Sequence, residues 1–119
     1  MRLLVVVLAL MLVGLAVPVR ANAQVMDDCP HAPTIASLRT CVQHAAAEGH
    51  IDNQGIVRSL LAKLDAAQAA IERGQASVAV RTLKAFVREV DAQTGKHIVA
   101  EHAAHLRMHA EMVIAALGG

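Results

Sequence analysis

Apolar and polar residues along this chain fall into four stretches with a repeat near that of a helix, and no stretch shows sustained strand alternation. The pattern predicts an all-α fold. In the first stretch, Ile35, Leu38, Val42, Ala45 and Ala46 share one face. Thr34 offers its hydroxyl as an N-cap, and Gly49 suits the C′ position that favours a residue without Cβ. After the connector at His50 and Ile51, Asp52 and Asn53 are both good caps for the second stretch. There Ile56, Leu60, Leu64, Ala67 and Ile71 align, flanked by Val57, Leu61 and Gln68, while five alanines between 62 and 70 raise helix propensity without bulk. Gly74 ends that helix. Ser77 is the expected cap of the third, which buries Ala79, Leu83, Phe86, Val87 and Val90 and turns Arg81, Lys84 and Arg88 outward. A stop at Gly95 precedes a last helix over about 99–117, with Ala103, Leu106, Ala110, Val113, Ile114 and Leu117 on its apolar face. No Ser, Thr, Asp or Asn stands at its N-cap near Val99, so that terminus is expected to fray or to borrow a cap.

Helices joined by connectors of about three to six residues pack as antiparallel neighbours. The expectation is therefore a small antiparallel bundle of three to four helices over 34–119. Its core is expected at Leu60, Leu64, Leu83, Phe86, Val87, Val90, Leu106 and Val113. Phe86 is the only aromatic residue of the Phe, Trp and Tyr class.

The start of the chain does not belong to that pattern. Arg2 precedes an apolar run from 3 to 17, Pro18 ends it, and Ala21-Asn22-Ala23 forms a small-x-small cleavage site. These features predict a signal peptide over 1–23, a mature chain from Gln24, and export to the periplasm or the medium without a stable membrane anchor. The run is shorter than the roughly 20 apolar residues of a spanning helix. Residues 24–33, with two prolines and no period, read as an extended arm. Removing Arg2 and Arg20 leaves nine basic against ten acidic residues, a net charge of −1. Phosphate neutralisation needs clustered cations and single strands need stacking aromatics, so nucleic acid is excluded as a partner.

The two cysteines, Cys29 and Cys41, form an even set in an exported chain, which favours a bridge that pins the arm to the first helix. The competing arrangement is a zinc site built from Cys29, His31, Cys41 and His44, whose ligand types suit zinc but whose spacing is unlike that of zinc fingers.

His102, His105 and His109 lie at i, i+3 and i+7, with Glu101 beside them, in a stripe that borders the apolar face of the last helix without joining it. Imidazoles suit zinc, copper and nickel. His102 and His109 stand about 10 Å apart along a straight helix. One helix therefore supplies two good ligands, and another element or chain must complete a site. The opposing expectation is a polar flank whose rings pack against neighbours and wet their tips.

Enzyme signatures are missing from the sequence. Ser37, Ser59 and Ser77 stand in helical contexts without a nucleophile elbow, no Gly-rich phosphate loop is present, and Asp27-Asp28 lies on the arm.

One further likeness concerns the scaffold. Leu60-Leu61 with Lys63-Leu64, then Arg73-Gly74, Leu83, Ala85-Phe86-Val87, Val90, Gly95-Lys96 and Ile98, followed by the helix over 110–117, resemble the FIMAH domain, a small helical module of secreted bacterial proteins. The likeness covers about 53–117. It implies a non-catalytic accessory module, since the family offers no catalytic residue to transfer. The chain departs from the pattern at Val99, where such modules often place a Thr or Ser, and no enzyme domain accompanies the module in these 119 residues. The expected function is accessory binding or assembly with an unidentified protein or envelope component, self-association included and no cofactor required. The alternative is a small periplasmic metal-binding protein using the histidines of the last helix.

Overall fold

The computed structural model describes residues 29–119. The expected signal peptide and the arm as far as residue 28 lie outside the described residues. Four helices follow: α1 (Ile35–Ala47), α2 (Gln54–Glu72), α3 (Ala76–Gln93) and α4 (Ala100–Ala116). No described helix is long and apolar enough to cross a membrane. Each helix packs on its sequence neighbour, and α4 returns to α1, so the four close into a ring around one core.

Local chemistry sets most boundaries. The Thr34 hydroxyl accepts from the Ser37 amide at 3.1 Å to start α1. The Asn53 carboxamide accepts from the Ile56 amide to start α2, while the neighbouring Asp52 carboxylate bonds His97 Nδ1 at 2.8 Å. Both α1 and α2 end in the same way. Gly49 and Gly74 take positive φ (83° and 76°), and the following residues, His50 and Gln75, donate to Ala45 O and Ala70 O at 2.8 Å each. This double bond pattern satisfies carbonyls that the last helical turn leaves without partners. Gln75 is thereby committed to closing α2, and it also occupies the N-cap of α3 with no side-chain cap bond. Ser77 is therefore not the cap of α3. Helix α3 starts two residues earlier, with only residues 73–75 between the two helices.

The core holds Leu60, Leu64, Leu83, Phe86 and Val90 with no exposure at all, and Leu106 and Val113 nearly so. Val87 is half-buried at the edge of this cluster rather than inside it. The buried face of α2 is rotated from the expected one. Val57, Ala67 and Ala70 are buried while Ile56 and Ile71 are half-buried. The small alanines bring the backbone close to its neighbours, with the most extensive packing against α3, and leave the bulky isoleucines to flank the contact.

The N-terminus of α4 has no side-chain cap on Val99, as its sequence implies. It is anchored by backbone instead. Ile51 and Ile98 form an isolated antiparallel bridge, with the Asp52 amide donating to His97 O and the Val99 amide to His50 O, both at 3.0 Å. Both isoleucines are buried. The two connectors at this end of the bundle are thus stitched together, and the α1–α2 connector is more than a link.

Candidate functional site

The arm beyond residue 28 is held against the bundle by three ties. Cys29 and Cys41 form a disulfide, with Cα atoms 5.0 Å apart. The bridge removes both thiolates, so the Cys29–His31–Cys41–His44 zinc arrangement is not formed. Buried Ser37 in α1 donates to Pro30 O and accepts from the Ala32 amide. His109 in α4 donates through Nε2 to Ala32 O at 2.7 Å.

A cleft lies where the arm, α1 and α4 meet. It is walled by the disulfide, Ala45, Leu106 and the rings of His31, His44, His102, His105 and His109, with about 30 Å³ of internal room. Five of the chain's seven histidines line it, and a sixth, His50, stacks on His102 with ring centroids 3.7 Å apart and planes 15° from parallel. The turn at Gly49 positions His50 for this stack. His31 reaches over α4, its ring centroid 6.2 Å from His105 and 5.5 Å from His109. His102 and His105 stand 6.5 Å apart. Glu101 is exposed and takes no part in the cleft wall.

The three α4 histidines do not form the uniform flank their spacing implies. His105 is exposed, His102 half-buried, and His109 retains 2% exposure and sits inside the apolar face beside Leu106, Ala110 and Val113. Its burial is tolerated because the ring is satisfied at Nε2 by a backbone acceptor. A carbonyl oxygen can only accept, so Nε2 carries the proton and Nδ1 of the neutral ring is left with a lone pair. That Nδ1, like the Nδ1 of His102, is buried without a hydrogen-bond partner.

Burial depresses the His109 pKa below 6.5, partly opposed by the bond to Ala32, with the nearby His31 adding to the depression. His102 is also lowered, first by burial and then by His50 and His105, against weaker opposing pulls from Glu101 and Glu48. Both rings are consequently neutral at pH 7 and available as lone-pair donors. Among the described residues, no three His, Cys, Asp or Glu side chains are already gathered as an ion requires.

Ser59, Lys63 and Glu89 form a compact group between α2 and α3. The Ser59 hydroxyl donates to Glu89 at 2.8 Å and accepts from Lys63 at 3.0 Å, and Lys63 also pairs with Glu89 at 3.0 Å. An ammonium donating to the hydroxyl is the reverse of base activation, so the group reads as an interhelical tie.

Sequence reasoning found His102, His105 and His109 but not their companions. His31 and His44 entered it only as zinc ligands beside the cysteines, and His50 only as a connector. No curated protein and no solved structure matches the chain. A family model for the FIMAH domain matches residues 35–115. The match takes in α1, so the module begins well before Asn53, where the sequence likeness starts. Spanning about two-thirds of the chain and all four helices, this match makes the chain a member of the FIMAH domain family.

Proposed function

We propose that this chain is a non-catalytic, exported accessory module that binds an extracellular or envelope component through the cleft between the arm and α4. The observation that carries the reading is the disulfide-pinned arm itself. The family match and the four-helix ring both begin at residue 35, yet the arm before them is tied down by a disulfide, a buried serine and a buried histidine. The result is a concave, histidine-rich surface rather than a sealed core. A disulfide persists in an oxidising compartment, in keeping with the leader-like sequence over 1–23.

Two measurements test the reading. Fractionation of cells producing the full chain should place it outside the cytoplasm, beginning at Gln24 and with no free thiol in denaturant. Cytoplasmic protein retaining Met1 would overturn the export part. The immobilised chain should also retain a defined component of native envelope extract that free chain competes away. Absence of any competed component would overturn the accessory role.

A further inference from the structure

We propose that the cleft binds one divalent late first-row transition ion, Zn(II) or Cu(II), with His31, His105 and His109 as ligands. This rests on the reading that the cleft is the working face.

His105 and His109 are four residues apart on α4, a spacing that puts two imidazoles on one ion, as in helical zinc sites. A single helix cannot supply the third, and the arm does. Two imidazoles on one tetrahedral ion, each with metal–nitrogen distances near 2.1 Å, have ring centroids about 5 Å apart. The His31 ring lies 5.5 Å from His109 and 6.2 Å from His105, so it stands up to roughly 1 Å farther from each than shared ligation needs. His31 and His105 are both exposed, and their side chains are free to close that gap.

His109 is prepared for ligation. Its Nε2 proton is committed to Ala32 O, which fixes the tautomer, and its Nδ1 lone pair is buried with no donor to receive. A ring nitrogen hydrogen-bonded to a backbone carbonyl opposite the metal-bound one is the usual support of a ligating histidine. A buried acceptor without a donor is costly, and a cation satisfies it. The donor set also selects the ion. Neutral imidazoles without a carboxylate are poor ligands for magnesium or calcium, and the disulfide sulfurs are not thiolates. Three protein ligands leave a fourth position for solvent or for a group of the bound component.

The test is calorimetric titration of Zn(II), Cu(II) and Mg(II) into the untagged, disulfide-bonded full chain at pH 7.5. Zn(II) and Cu(II) should each saturate at one equivalent with a Kd below about 10 μM, and Mg(II) should give no uptake. His31→Ala and His105→Ala, both at exposed positions, should each weaken Zn(II) binding at least ~10-fold, with His97→Ala unchanged. Uptake that is not saturable below about 10 μM, or an affinity unaltered by either cleft substitution, would overturn the proposal. Lost ion uptake with envelope retention intact removes the ion alone; intact uptake with no retained component removes the accessory role alone.

Discussion

At the scale of single residues, Phe86 and His109 carry the greatest burden. Phe86 is fully buried in α3, so Phe86→Ala should cost about 3–5 kcal/mol by the cavity it leaves, measured by denaturant unfolding. His109 and His102 make stability depend on pH. Their pKa values are lower in the folded chain than the ordinary 6.5, so the unfolded chain takes up protons first as pH falls. Their contribution is complete above about pH 7 and is lost as pH falls from 6.5 through the depressed folded values. The metal-free protein should therefore melt at a lower temperature at pH 5 than at pH 7.5, and His102→Asn should flatten that slope. The groups around the two rings are His31, His50, His105, Glu48 and Glu101, so histidine repulsion reinforces the trend and the two carboxylates temper it. Phe86 was legible in the sequence because it stands in an uninterrupted helical stripe. His109 was not, because its partner is a backbone carbonyl 77 residues away, which no periodicity encodes.

At the scale of elements, the helices announce themselves and their junctions do not. Gly49 and Gly74 mark the ends of α1 and α2 because each needs a positive φ, and Gly74→Ala should cost about 1–2 kcal/mol by thermal melt, since open space around the site leaves only backbone strain. The face of α2 was blurred by its alanines, which fit an inner or an outer position equally well, so Leu60, Leu64 and Ala67 are buried as expected while the ends of the face fall at Val57 and Ala70 rather than Ile56 and Ile71. The Ile51–Ile98 bridge escaped because each partner is a single residue in a short connector. The arm was legible through its cysteines, though not the cleft it builds. Replacing both Cys29 and Cys41 with Ser should cost ~3 kcal/mol on the loop-entropy account. It should also speed amide exchange at Ala32 and Ser37, which the disulfide, Ser37 and His109 together hold in place.

At the scale of the whole molecule, membership of the FIMAH family and the four-helix ring establish the scaffold, while most of the histidines gather on one seam of it. Composition alone did not reveal that seam, because its histidines come from the arm, α1, a connector and α4 and meet only after folding.

The order of contacts along the chain has a consequence for assembly. The disulfide spans 12 residues and the α1–α2 and α2–α3 contacts join neighbours, so these form early and locally. The Ile51–Ile98 bridge waits for the end of α3, and the Ala32–His109 bond and the α1–α4 contact await the final helix. Helix α4 is thus the closing stave of the barrel. A chain cut before Val99 should keep its staple yet leave the sides of α1 and α3 that face α4 open to solvent, making the last seventeen-residue helix the step that separates a sticky intermediate from a finished protein.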